Sequence, residues 1–302
     1  MSIPKANLAE YLLNTASGDK WKGTRVQRRS GISVPLFSVY SQESVGIGEF
    51  ADLKLLLDWA NQTGNSIIQL LPMNEVGSLF CPYDSISSFA LEPAYISFRE
   101  IPQAGNKTIQ KKIKDLKKLF CAGKPYVNYA IKKEKIQLLR EAYEEETDSS
   151  LEFKRFPEDN VYWLPDFALY KALKGYHKGL PWYEWDVEFK ERQRTALETF
   201  QKENARQISF QMWVQWLSFR QFKAIKAYAK AKKVLLKGDL PILVSRDSAD
   251  VWAHPEFFKL GFASGAPPDM YCALGQRWGM PTYNWDNIAA DGFRHLKEKL
   301  KV

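Results

Sequence analysis

The chain has 302 residues, 45% hydrophobic and 26% charged, a balance that excludes a disordered or fibrous protein and fits two domains or one large one. Its net charge of +8 invites a nucleic-acid reading, but the surplus is local. Residues 106–140 hold eleven Lys/Arg against two Asp/Glu, and residues 141–159 hold eight acidic residues against two basic, so two helical faces pairing with each other or with water are expected, and no nucleic-acid partner.

The N-terminal MSIPKANLAEYLLN has no basic region leading into an apolar one, and no stretch reaches the roughly 18 apolar residues of a membrane span. A cytoplasmic protein without membrane association is therefore expected. Residues 33–40, SVPLFSVY, read as a first strand. In ADLKLLLDWANQTG the apolar residues Leu53, Leu56, Leu57 and Trp59 or Ala60 recur at helical spacing, with Gly64 placed to stop the helix. Residues 66–72, SIIQLLP, read as a second strand ended by proline. Strand, helix and strand at these lengths predict a parallel βαβ unit with strands buried on both faces.

The alternation then breaks. Residues 74–100 read as a long structured loop, 107–147 as charged helix, and 156–186 as a mix of Pro, Gly and aromatics around a short helix at 167–173. Residues 207–232 predict a helix whose apolar face is Phe210, Trp213, Val214, Leu217, Ala224 and Tyr228, with Lys and Arg opposite. It feeds a third strand candidate, 234–244. Roughly 130 residues inside this crossover are too many for a loop and imply a subdomain packed on the sheet. Residues 261–293 follow, rich in Gly, Pro and aromatics, where α/β proteins place function.

Cys81, Cys121 and Cys272 are too few and too scattered for a disulfide framework or a Cys-x-x-Cys site, and His177, His254 and His295 show no metal-ligand spacing. The ten tryptophans suit packed cores, and also stacking on flat apolar faces such as a sugar ring. Asp247 and Asp250 in RDSADVW read as a helix N-cap and a first-turn acid, and His254 as structural.

Four segments in order, GISVPLFSVYSQESVGIGEFADLKLLLDWA, IIQLLPMNEVGSLFCPYDSISSFALEPAYI, LKGDLPILVSRDSADVWAHPEFF and GAPPDMYCALGQRWGMPTYNW, resemble the 4-α-glucanotransferases (amylomaltases, or disproportionating enzymes). The resemblance covers roughly residues 29–100 and 207–295, with 101–206 matching as an insertion. It implies an α/β fold: the first three or so strands of a (β/α)₈ TIM barrel, incomplete here, with a large, mainly helical insertion subdomain. The corresponding division is 1–100, first strands and active-site loop; 101–206, helical insertion; and 207–302, third strand, substrate-covering loop and following helix.

The activity it implies is transfer of α-1,4-glucan segments between maltodextrins by retaining double displacement, without metal or organic cofactor. By this resemblance Tyr83 in CPY stacks beside the glucose at the cleavage point, with Cys81 in place of the family's serine. Asp239 in GDLP helps organise the site floor, Asp269 in PPD anchors the covering loop, and Gln276 and Trp278 in GQRWG lie on that loop, Trp278 as the stacking platform. Ala273 stands where some relatives carry an acid. Tyr83, Asp239 and Trp278 are expected on one concave surface at the strand ends. The family's nucleophile belongs to an Arg-Ile-Asp-His-like motif expected beyond Val302, followed by the acid/base. No R-[ILF]-D-H occurs in these 302 residues, so no catalytic residue is assigned and the chain by itself is expected to be inactive. It reads as the substrate-binding N-terminal portion, with a non-catalytic α-glucan-binding fragment, or one half of a split enzyme whose second chain supplies the rest of the barrel, as alternatives.

Overall fold

The computed structural model describes residues 8–145 and 150–301. Residues 1–7, residues 146–149 of the acidic run and Val302 lie outside these. The fold is α/β. Its main sheet has three parallel strands in sequence order, β1 (Gly31–Val34), β2 (Ile67–Leu70) and β3 (Leu235–Lys237). Gly31 lies opposite Ile67 in this ladder. A side chain at Gly31 would put its Cβ 2.3 Å from the Ile67 carbonyl oxygen, so only glycine permits the approach.

The strands are shorter than the apolar runs, for a backbone reason. Pro35 offers no N–H, and the chain after it turns into a 3₁₀ helix, Leu36–Ser38. The run 234–244 leaves the sheet after Lys237, at Gly238, and Pro241 follows.

The expectation of strands buried on both faces is corrected. Ile32, Val34, Ile68, Leu70 and Leu236 share one face and join the main core, whereas Ser33, Gln69 and Lys237 share the other. There Lys237 donates to the Gln69 side chain at 3.1 Å.

Helix Leu53–Gln62 connects β1 to β2, burying Leu53, Leu57 and Ala60. It ends where Gly64 takes a φ of +74°, a value glycine adopts without strain. Helix Ala205–Ala231 leads into β3 and is apolar almost all round in its middle: Trp213, Val214, Gln215, Trp216, Leu217 and Ser218 are consecutive and buried. The one-sided face predicted for it is therefore too narrow, and Ala224, placed on that face, is exposed.

The reason is that this helix sits between two cores. Phe210, Trp213 and Leu217 pack with the sheet, Leu53–Gln62 and helix Ile131–Glu144. Ile208, with Met212 and Phe219, faces the second core, built from Phe167, Tyr170, Trp182, Trp252 and Tyr283. Residues 101–206 contribute to both cores, through Ile131–Glu144 in the first and Leu164–Tyr176 in the second. Six tryptophans, 163, 182, 185, 213, 216 and 252, are buried, so most of the indole content is core.

The long helix also holds the loop 74–100 by two buried amides. Gln215 accepts the Leu91 N–H at 2.8 Å and donates to the Leu91 carbonyl at 2.9 Å. Gln221 does the same for Ser97, at 2.8 and 2.9 Å.

The charged helices depart from the expected pairing. Lys112 does meet Glu141, at 2.6 Å. Lys132 and Lys135, however, turn inward to the buried Glu92 and Glu49, at 2.8 and 2.6 Å. Lys135 and Glu49 are both essentially inaccessible. Burial lowers the Lys135 pKa and raises that of Glu49. No helix among the described residues is long and apolar enough to cross a membrane.

Candidate functional site

The carboxyl end of β3 leads directly to Asp239, and the loop after β2 brings Tyr83 to it. That loop is folded on itself: the Glu75 N–H donates to the Ala90 carbonyl and the Ile86 N–H to the Glu75 carbonyl, each at 2.8 Å. The Asp84 N–H closes a turn on Cys81 at 2.9 Å, and Tyr83 projects from the turn, about half exposed. Its hydroxyl donates to Asp239 Oδ2 at 2.9 Å. This hydrogen bond, with a little burial, raises the phenol pKa and keeps the hydroxyl a donor.

The other side of the loop rests on the segment after β3. The Ser245 N–H donates to the Ser85 carbonyl at 2.9 Å, and the Ala249 N–H to the Ile86 carbonyl at 2.8 Å. Asp84 is half buried here, and burial raises its carboxyl pKa, opposed by a hydrogen bond from Ser245.

Asp247 has a different role from the one its sequence position suggested. The N-cap of helix Ala249–Ala253 is Ser248, whose side chain accepts the Val251 N–H at 3.2 Å. Asp247 instead accepts from the Tyr170 hydroxyl at 2.9 Å, the Trp182 N–H at 3.1 Å and the Lys174 ammonium. With the Lys171–Glu75 pair at 2.5 Å, it ties helix Leu164–Tyr176 to the loops around Tyr83. These long-range partners carry no local sequence signal. Asp250 does sit in the first turn of its helix, and His254 stacks on Tyr162 and Phe257.

Asp269, Gln276 and Trp278 share a hairpin in which Gly265–Ala266 pairs with Gln276–Arg277. A Cβ on Gly265 would lie 2.0 Å from the Gln276 carbonyl oxygen, so the close pairing needs glycine. Asp269 accepts the N–H groups of Tyr271 and Cys272, each at 2.8 Å, and so closes the turn at the tip. The Trp278 indole N–H donates to the Gln276 side chain at 3.0 Å, and the indole is half exposed.

Two groups result, Tyr83 with Asp239 and Asp269 with Gln276 and Trp278. No hydrogen bond or ring contact among the described residues joins Trp278 to Tyr83. The link is indirect: Tyr283, in the next short strand, donates to the Ile242 carbonyl, three residues beyond Asp239. Among the described residues no group of three or more His, Cys, Asp or Glu side chains is arranged to hold a metal ion.

The first group is thus a half-exposed tyrosine tethered to a carboxylate just past a strand end. The sequence profile described as 4-alpha-glucanotransferase matches residues 34–302, and the chain belongs to that family. The match includes 101–206, which motif comparison alone left as an insertion.

The chain is 38% identical to the 4-alpha-glucanotransferase of Chlamydia pneumoniae over 301 residues, covering 98% of this chain and 56% of the relative. It is 36% identical to the Thermus thermophilus 4-alpha-glucanotransferase over 264 residues, covering 82% and 51%. In three dimensions it is similar to an amylomaltase from Streptococcus agalactiae, described in complex with acarbose, at a TM-score of 0.79 and 27% identity, covering 91% of this chain and 57% of that one. The chain spans about half the length of the curated relatives it matches.

Proposed function

We propose that this chain supplies the glucan-binding part of a 4-α-glucanotransferase that moves α-1,4-glucan segments between maltodextrins by retaining double displacement. The observation that carries this reading is the hydrogen bond from Tyr83 to Asp239 at the carboxyl end of β3. It fixes an exposed ring next to Asp239, two residues past the end of β3. Parallel barrels place their chemistry at the carboxyl ends of the strands. In this reading β1–β3 are the first strands of a (β/α)₈ barrel, residues 1–100 and 207–302 supply the strands, and 101–206 are the helical insertion.

Tyr83 stacks beside the glucose at the cleavage point and Asp239 organises the floor. Asp269, Gln276 and Trp278 form the covering loop on the acceptor side. Retaining transfer needs two carboxyl groups about 5–5.5 Å apart, one attacking the anomeric carbon and one protonating the leaving oxygen. We assign neither to these 302 residues, and a second chain supplying the remaining strands would complete the site. No cofactor enters the reaction, and we place the protein in the cytoplasm.

Affinity electrophoresis in maltodextrin gels tests binding directly: the chain should be retarded. The same chain should release no glucose from maltotriose by itself. Unretarded migration would refute the binding assignment, and glucose release abolished by Asp239→Asn would show a nucleophile within these residues.

A further inference from the structure

Behind the Tyr83 loop, three elements converge on two buried polar side chains. Asp250, in helix Ala249–Ala253, is 4% exposed, and His295, in helix Arg294–Lys299, is 0% exposed. Asp250 Oδ2 accepts the N–H of the loop residue Ser88 at 3.0 Å. His295 Nδ1 faces the Tyr162 hydroxyl at 3.2 Å. The remaining atoms, Asp250 Oδ1 and His295 Nε2, have no hydrogen-bond partner among the described residues. They lie 4.0 Å apart, beyond the reach of a direct hydrogen bond. Both residues line a cavity of about 20 Å³ whose walls include Phe89, Trp163, Phe167 and Ala249. That volume holds one water molecule, and buried waters sit where otherwise unpaired polar groups converge.

We infer that a single structural water is bound here, accepting the His295 Nε2–H and donating to Asp250 Oδ1. The donor bookkeeping supports one direction of travel. Burial pushes the Tyr162 phenol up to about 12, so its O–H is retained, and in the arrangement we infer it donates to His295 Nδ1. That leaves the imidazole proton on Nε2, facing the cavity. A water takes it and returns an O–H to the carboxylate, and the Ser88 N–H closes the chain from the far side.

A direct imidazolium–carboxylate pair does not fit as well. Besides the 4.0 Å gap, burial, then the nearby Lys299 and His254, bring the His295 pKa down to about 3, against a weaker upward pull from Asp291. The imidazole is therefore neutral. The other titratable groups on the cavity wall are Asp166 and His254. The water thus joins the base of the Tyr83 loop to two helices that come from the last quarter of the chain.

A crystal structure of this protein at about 1.8 Å or better tests the site. One ordered peak at hydrogen-bonding distance, about 2.7–3.2 Å, from both Nε2 and Oδ1 is expected. A site without density, or His295 and Asp250 in direct contact, overturns the inference. In solution, long-range ¹H–¹⁵N spectra should show His295 as the neutral Nε2–H tautomer from pH 8 to pH 5, with magnetisation transfer from water to that proton. Asp250→Leu should abolish the transfer while leaving the tautomer. An imidazolium at pH 6, or the Nδ1–H tautomer, would equally overturn it.

Discussion

The Tyr83 hydroxyl and Asp239, separated by 156 residues of chain, meet at 2.9 Å. Neither side chain is sequestered from water, so their bond contributes little stability, on the order of 1 kcal/mol or less. Its value is orientation. Tyr83→Ala should abolish retardation of the chain in maltodextrin gels while changing its urea midpoint only slightly. Tyr83→Phe keeps the ring and loses the tether, so it should retain weakened binding. Full retardation of the alanine variant would remove Tyr83 from the glucan surface.

Trp278 is half exposed and bonded to Gln276 within a two-residue strand pair, not to either core. Trp278→Ala should therefore leave the thermal midpoint within about 1–2 °C of the parent. In the complete enzyme it should weaken acceptor use by roughly tenfold, about 1.4 kcal/mol. A large fall in the midpoint with unchanged acceptor kinetics would assign the indole to packing instead.

Lys135 and Glu49 form an ion pair removed from solvent. Truncating one partner strands the other charge, and such changes cost about 3–5 kcal/mol. Lys135→Met should show this loss in equilibrium urea unfolding. The double variant Lys135→Met/Glu49→Leu should recover much of it. If the single variant is as stable as the parent, the pair is not buried as described.

That pair also shows where the sequence stopped being readable. The periods of Leu53–Gln62 and of the two strands around it, and the stop at Gly64, follow from local rules of spacing and backbone freedom. They place β2 and the helix before it within a few residues, whereas β1 shares only residues 33–34 with the expected run 33–40. A lysine in a basic run, by contrast, reads as solvated unless its partner is known. The Glu49 that buries Lys135 lies 86 residues away. Asp247 was legible as an acid before a helix but not as the anchor of Tyr170 and Trp182, because those residues sit inside the long crossover. Tyr83, Asp239 and Trp278 were visible through family resemblance, and composition alone singled out none of them.

His295 gives a pH dependence of defined sign. Its folded pKa is depressed from 6.5 to about 3, so below 6.5 the unfolded chain takes up a proton that the folded one does not. Its stabilising contribution is complete above pH 6.5 and declines as the pH falls toward 3, by at most roughly 1.4 kcal/mol per pH unit. Urea unfolding at pH 7 and pH 4.5 should show a smaller loss for His295→Gln than for the parent. Equal losses would mean that His295 titrates normally in the fold.

The basic run should not behave as a polyanion site. Four of its eleven basic residues, Lys112, Lys117, Lys132 and Lys135, are engaged by acidic side chains. Elution from heparin well below physiological ionic strength is expected. Retention far above it would require a free cationic face on residues 106–140.

The paired amides of Gln215 and Gln221 act as a gauge of chain length. Six residues of α-helix separate them, an axial distance of about 9 Å. The loop between Leu91 and Ser97 must span that same interval with its own six residues, which in extended form would reach about 20 Å. It does so by coiling through the 3₁₀ turn Pro93–Tyr95. Adding or deleting one residue there would leave a buried glutamine with both polar ends unmatched. The same change beside Leu79, at the exposed tip of the loop, touches neither clamp. A change of loop length is thus borne at the tip, the part that presents Tyr83, and not between the two clamps.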